Sequence, residues 1–341
     1  MDVNPELIVA TRGAHVESRH RGAIAVANPD TGLLIAIGDV SRPVFPRSAI
    51  KAIQALPLIQ SGAADSFGLT DRELAVACAS HSGSPDHVTT VQRLITRLNL
   101  NLEDLVCGAH WPQTDADRHA LAAAGQWPTR LHNNCSGKHA GLLALAKHIG
   151  APTQAYWTAD HPVQHRVREV LSDLSGCDLT DVPPGLDGCS LPTWPLPIAG
   201  LARAFAIPAA GSRHDPSVAQ AMARLRQACW AEPAMVAGPN RLDTEVLEAG
   251  RDRVFVKTGA EGVYCGTLLP QGFGFAIKID DGATRAAEMA MLQLICLFDD
   301  RFRTVRDRRA VIRNWSGVPV GRLQATADLV EHLHPLTAYA R

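Results

Sequence analysis

The placement of β-forming and helical segments along the chain constrains its fold more than any other feature. The stretches ELIVATRG and GAIAVANPDTGLLIAIGD near the start, and RVFVKTGAEGVYCGTLLPQGFGFAIKID near the end, are rich in strand-forming residues. They are broken by Asn-Pro-Asp-Thr-Gly and Pro-Gln-Gly turns, the punctuation of antiparallel hairpins. These hairpins lie at opposite ends of 341 residues. A single sheet built from them must bring the two ends of the chain together.

Between the hairpins the pattern is helical. TDRELAVACAS carries a Thr70/Glu73 capping box, DHVTTVQRLITRLNL repeats apolar residues at the helical period, and SGKHAGLLALAKHIG ends in a glycine. HPVQHRVREVLSDLSG and DPSVAQAMARLRQACW continue the series, and TRAAEMAMLQLICLFDD supplies a last helix after the second hairpin. The expected fold class is therefore α+β: an antiparallel sheet built from both termini and flanked by helices, with a mostly helical second lobe. The chain reads as one unit over 1–341, with a sheet-containing lobe from about 1–50 and 245–341 and a helical lobe over about 51–244. A ligand is expected in the cleft between the lobes.

Composition narrows the partners. With 46% hydrophobic residues the chain can bury a substantial core without staples. A net charge of −1 provides no basic field for nucleic acid or an anionic membrane surface, which leaves a small molecule as the expected partner. No stretch approaches about 18 uninterrupted apolar residues, and the opening MDVNPELIVATRG has no apolar core of signal-peptide length, so a cytoplasmic protein is expected. The eight cysteines are scattered without CxxC pairs and read as buried thiols rather than a disulfide framework.

The chemistry starts in VFPRSAIKAIQALP. Ser48 opens a helix and Lys51 follows one turn later on the same face. A serine hydroxyl becomes nucleophilic when a neighbouring amine takes its proton, and an amine can do so once burial or nearby positive charge keeps it partly neutral. Taken alone, S-x-x-K is a common helix start. Lys257-Thr258-Gly259 at the end of a β-run changes its weight, because K-T-G on a strand is the partner of S-x-x-K in serine β-lactamases and penicillin-binding proteins. The middle S-D-N element of those enzymes is absent. In its place ACASHSGSPDH offers Ser80, a second hydroxyl that can pair with Lys257.

Two further stretches are more polar than packing requires. LHNNCSGKHAGLLAL sets His132, Asn133, Asn134, Cys135, Lys138 and His139 ahead of an apolar helix, and LDGCSLPTWPLP offers Asp187 and Cys189. Asparagines before a helix are ordinary caps. Cys135 with His139 or with Lys138, joined by Cys189, would suit a thiolate-rich zinc site, although the spacing carries no zinc signature.

Taken in order, RPVFPRSAIKAIQALPLI, ACASHSGSPDHV, LHNNCSGKHAGLLAL, GLDGCSLPTWPLP and KTGAEGVYCG resemble the Rhizobium etli-type L-asparaginases from about Leu7 to the last helix. The resemblance implies a serine β-lactamase-like fold and one catalytic unit that hydrolyses L-asparagine. It implies a Ser48–Lys51 couple and a Ser80–Lys257 couple. It also implies a structural or substrate-orienting zinc held by Cys135, Lys138 and Cys189 with Asp187 nearby, and a homodimer. Backbone N–H groups near Ser48 and after Lys257 are expected to form the oxyanion hole. The α-amino and α-carboxylate groups of asparagine need polar partners, for which Arg47 suits the carboxylate, with Asn134, His81 and Glu261 as further candidates. A glutaminase or β-lactamase-like amidohydrolase on the same fold is the nearest alternative. A non-catalytic amino-acid-binding protein is the alternative of a different class.

Overall fold

The computed structural model describes residues 3–209 and 215–340. Its centre is an antiparallel sheet of eight strands: β1 (Glu6–Arg12), β2 (His15–Asn28), β3 (Gly32–Ile37), β4 (Val254–Thr258), β5 (Val263–Leu268), β6 (Phe273–Ile279), β7 (Val311–Arg313) and β8 (Pro319–Ala325). They run in the order β7-β8-β1-β2-β6-β5-β4, with β3 paired to β2. The two ends of the chain meet at two seams, where β1 pairs with β8 and β2 pairs with β6. The α+β class with a sheet built from both termini is therefore the architecture the chain adopts.

Alternation along the strands explains how the sheet is covered. In β2, Ile24 and Val26 join a core shared with the carboxy-terminal helices, whereas Ala23, Ala25 and Ala27 belong to the core of the helical middle. In β6, Phe275 and Ile277 take the first side and Ala276 the second. The second face is made of small residues because a helix lies close upon it. A Cβ on Gly274 would sit 2.2 Å from Ala202 O and Ala206 N of the Ile198–Ala206 helix. Any larger residue there would push the helical lobe off the sheet.

The helices follow their sequence signals closely. Thr70 and Glu73 form the expected capping box on the Asp71–Ala77 helix. The Ser136–His148 helix is followed by Gly150 at φ +69°, a left-handed position that favours glycine. Asp215 accepts N–H groups from Ser217 and Val218 at the start of the Pro216–Ala231 helix. Among the described residues no helix is long and apolar enough to cross a membrane. All eight cysteines are free thiols, with Cys177 the one that is partly exposed.

Two segments differ from the expected pattern. β2 begins at His15, not at Gly22, because the polar run HVESRHR pairs with β1 along a stretch exposed to water, where alternation of apolar residues is not required. The Thr284–Ile295 helix is not the last element: another helix, the β7–β8 hairpin and the Ala327–Leu333 helix follow it. β8 carries Pro319 and Gly321 and has one buried side chain, so it lacked a strand signature.

Candidate active site

The Pro43–Val44 segment pairs with Leu196–Pro197 and leads into a tight turn over Arg47–Ile50. Arg47 adopts φ +52°, a conformation that costs a non-glycine residue about 1–2 kcal/mol. It is held there by a 2.7 Å ion pair from its Nε to Asp187 Oδ1. Ser48 is half-buried, and its hydroxyl has no hydrogen-bond partner among the described residues. The end of β4 rests directly on this turn. A Cβ on Gly259 would stand 2.8 Å from Pro46 O and 3.2 Å from Ala49 N, so only glycine lets the K-T-G strand end lie against the turn that carries Ser48.

Lys51 is fully enclosed. Its Nζ donates to Ala79 O, to Ser80 Oγ at 3.0 Å and to Asn134 O at 3.4 Å. An ammonium has three donors, and the loops around Lys51 present three acceptors. The lysine expected to pair with Ser48 therefore gives its hydrogen bond to Ser80, because its buried head finds its acceptors beyond the Ser48 turn. Ser80 itself is 5% exposed. Its loop is fixed by Ser80 N–H to Val236 O and His81 N–H to Asn134 O. Gly137 lets the Ser136–His148 helix cross the Asp71–Ala77 helix closely, since a Cβ there would be 2.1 Å from Val76 O. That crossing brings the Asn134 segment beside Ser80.

Lys257, expected to pair with Ser80, is held elsewhere. Its Nζ donates to Thr258 O at 2.9 Å and to Asp243 Oδ2 at 3.2 Å. Burial pulls its pKa down to about 8 against the pull of Asp243, with Lys51 and Arg241 adding to the decrease. The N–H groups after Lys257 are also committed, Thr258 to Asp243 Oδ2 and Gly259 to Val263 O, so the oxyanion site expected there does not form from them.

The candidate substrate contacts divide. His81 is fully buried, with Nδ1 accepting from Gly83 N–H and Nε2 bonded to Ser136 Oγ, whose hydroxyl donates to Leu131 O. Both ring nitrogens are used, which leaves none for a substrate. Burial, helped by His87, holds this ring neutral. The Asn134 side chain is half-buried and has no side-chain partner among the described residues. Glu261 is exposed in the turn between β4 and β5 at φ +59°. Arg47 is tied to Asp187 rather than free.

A second cluster lies one ion pair from Ser48. Lys138 Nζ is 3.1 Å from Cys189 Sγ, and Asp187 Oδ2 is 3.8 Å from that sulfur and 3.9 Å from the amine. Cys135 hydrogen-bonds to Cys189; this, together with Lys138, holds the Cys189 thiol at about 5 despite burial, while Cys135 is pushed up to about 12 by the same bond and by burial. Burial opposes the Lys138 charge, but Cys189, Cys135 and Asp187 outweigh it and raise its pKa. Among the described residues no three His, Cys, Asp or Glu side chains group as a metal site. This cluster counts two thiols and an amine instead. Donor atoms on a tetrahedral zinc stand about 3.5 Å apart, and the soft thiol–amine set fits that ion. His139, the other candidate ligand, faces Tyr156 Oη at 2.6 Å.

Three hollows lie away from these residues. One of about 610 Å³ is bordered by Gly83, His132 and Trp127, and one of about 420 Å³ by Asn28, Cys177 and Arg203. A third of about 710 Å³ lies along Arg168 to Thr180. The second lies between the lobes, with Asn28 and Ser41 on the sheet side and Cys177 and Arg203 on the helical side, but none of the three is lined by Ser48, Lys51, Ser80 or Lys257.

Sequence reasoning passed over Asp243 and Tyr264. Asp243 looks like an ordinary acid in the first turn of a helix, and Tyr264 like one more strand aromatic. The one available signal was the position of Tyr264 within KTGAEGVYCG, directly across the hairpin from Thr258.

Comparison with known proteins gives one family. A sequence-family model described as L-asparaginase II matches residues 8–325. No curated protein matches the chain significantly. Among solved structures, two crystal structures of a protein called Mglu, one in its native form and one in its tris and glutamate form, are similar at 15% identity, with TM-scores of 0.43 and 0.46, over 85% and 90% of this chain. The chain covers 65% and 63% of their length. A β-lactamase from Mycobacterium bovis is similar at 14% identity and a TM-score of 0.39, over 84% of this chain and 94% of its own.

Proposed function

Because the chain belongs to the L-asparaginase II family, we propose that it is an amidohydrolase that converts L-asparagine to L-aspartate and ammonia through a serine nucleophile. The observation that carries this reading is the seating of Gly259 on the Ser48 turn, with Lys51 Nζ reaching from that turn to Ser80 Oγ. The turn that carries Ser48 is thereby in contact with the strand end after Lys257 and, through Lys51, with the Ser80 loop. Ser48 is the attacking group in this reading: its hydroxyl is free of partners and half-exposed, whereas Ser80 is enclosed and bonded.

The chemistry is acyl transfer to water. Ser48 Oγ attacks the side-chain amide carbon, its proton passes to the lysine amines, and ammonia departs with a returned proton as an aspartyl ester forms. Water then releases aspartate. Burial draws the Lys257 pKa down to about 8, which lets this amine exchange its proton near neutral pH. Asn134 offers an unengaged amide for the substrate's polar groups, and the homodimer remains part of the reading.

Cys135, Lys138 and Cys189 would hold a zinc ion, with Asp187 beside it. Such an ion supplies fixed positive charge and rigidity next to Arg47. Asp187 couples that rigidity to the Ser48 turn through its ion pair.

Ammonia release by purified protein from L-asparagine, L-glutamine and a chromogenic β-lactam, alongside elemental analysis, tests the reading. Hydrolysis of asparagine well above glutamine supports it, because a site that fixes both ends of asparagine misplaces an amide one methylene further out. Equal rates on the two amino acids, or turnover of the β-lactam alone, would assign another amidohydrolase. Binding of asparagine without turnover would make this a sensor.

A further inference from the structure

We propose that Asp243, steadied by Tyr264, is the positioning residue that fixes the Lys257 amine at the end of β4 and sets the pH range over which the enzyme works. This rests on the amidohydrolase reading above. Asp243 is 2% exposed, in the first turn of the Leu242–Ala249 helix. An acid in that position ordinarily caps its own helix. This one has no hydrogen bond to its helix and reaches across to the sheet instead. Oδ2 accepts from Lys257 Nζ at 3.2 Å and from Thr258 N–H at 3.1 Å, and Oδ1 accepts from Tyr264 Oη.

The three donors come from two neighbouring strands, so the carboxylate locks the strand end that lies on the Ser48 turn. Stability alone does not call for this arrangement. Apolar groups of the same volume often replace a buried ion pair without loss. What an apolar pair cannot supply is a charge that governs a neighbouring amine.

The surroundings of Lys257 make that charge decisive. Lys51, from the turn after Ser48, and Arg241, just before the Asp243 helix, both favour loss of its proton. Cys229, on the Pro216–Ala231 helix, faces it as a buried thiol whose pKa is raised by a hydrogen bond with Cys78 and by burial. Glu288 acts on the same carboxylate and phenol from the other face, with its own pKa raised by burial. Asp243 is thus the sole carboxylate in direct contact with the amine among the described residues. Tyr264 shares it, and each hydrogen bond the carboxylate accepts from the phenol leaves less of its charge for Lys257.

The test uses two variants that should act in opposite directions, each read twice. The first reading is the pH dependence of kcat/KM for asparagine. The second is a titration of the Lys257 side chain by NMR in lysine-labelled protein, assigned with Lys257→Arg. Asp243→Asn keeps the shape and removes the charge, so the midpoint should fall by about one unit or more. Tyr264→Phe frees the carboxylate, so the midpoint should rise, by less. No movement in folded Asp243→Asn, or movement of both variants in the same direction, overturns the proposal. If Asp243→Asn does not fold, Tyr264→Phe decides alone: a rise supports the role, and a fall or no change ends it. Should the wild type release no ammonia from asparagine, the amidohydrolase reading fails while the NMR titration still reports on Asp243.

Discussion

Lys257 and Lys138 are both wholly enclosed, yet their surroundings drive their protons in opposite directions. At Lys257 burial prevails. Its one contacting carboxylate is shared with a phenol and a backbone N–H, and two further cations stand close by. At Lys138 two sulfurs and a carboxylate outweigh the same loss of hydration. Enclosure alone therefore does not decide what a buried lysine does. The count of negative partners, and how many other donors share them, separates an amine ready to exchange protons from one that anchors a charged cluster.

The largest effect should follow from removing the exchangeable amine. Lys257→Met is expected to cut ammonia release by about 10²–10⁴-fold. It should also cost roughly 3 kcal/mol in urea unfolding, because Asp243 is left buried without its cation. Activity within tenfold of wild type would take Lys257 out of the reaction and end the contrast. Lys138→Met should instead abolish bound zinc, as read by elemental analysis of protein purified without chelator, since a two-thiol site lacks its third protein ligand. Zinc content equal to wild type would remove Lys138 from the metal set.

A pH series sharpens the same comparison. Lys257 is lowered from its ordinary 10.5 to about 8 on folding, so between those values the unfolded chain holds the proton more firmly than the folded one. Its contribution to stability is present above 10.5 and is lost as pH falls through about 8. The excess stability of wild type over Lys257→Met should therefore grow with rising pH across that window, by about 1.4 kcal/mol per unit. Denaturant unfolding at several pH values measures it, and a gap that narrows with pH contradicts the assignment. The smallest effect is expected at the link between the two clusters. Asp187→Asn keeps the two thiols and the amine but weakens the hold on Lys138 and Arg47, so zinc affinity should drop about tenfold, as read by competition with a chromophoric chelator.

Much of this arrangement was legible in the sequence, and the reason differs from residue to residue. Ser48, Lys51, Ser80 and Lys257 stood out because reactive pairs occupied a helix start and a strand end in the expected chain order. The capping box at Thr70 and Glu73 was readable because both partners are local. Hydrogen-bond partners were not. Whether the Lys51 head meets Ser48 or Ser80 depends on how far a long side chain travels into a packed interior, and that is set by Ala79 and Asn134, far apart in the chain. His81 looked like a polar loop residue, yet it is sealed between Ser136 and Gly83. Asp243 was hidden for the reverse reason, since its helix position gave no hint that its carboxylate crosses to the sheet. β8 escaped notice because a strand with a proline, a glycine and one buried side chain has almost no apolar rhythm.

The proposed reaction depends on which hydroxyl becomes esterified. Intact-protein mass spectrometry of enzyme acid-quenched during asparagine turnover reads this directly. An aspartyl adduct should form on wild type and persist in Ser80→Ala, with Ser48 as the modified residue after digestion, and it should vanish in Ser48→Ala. An adduct retained by Ser48→Ala and located on Ser80 would contradict the account.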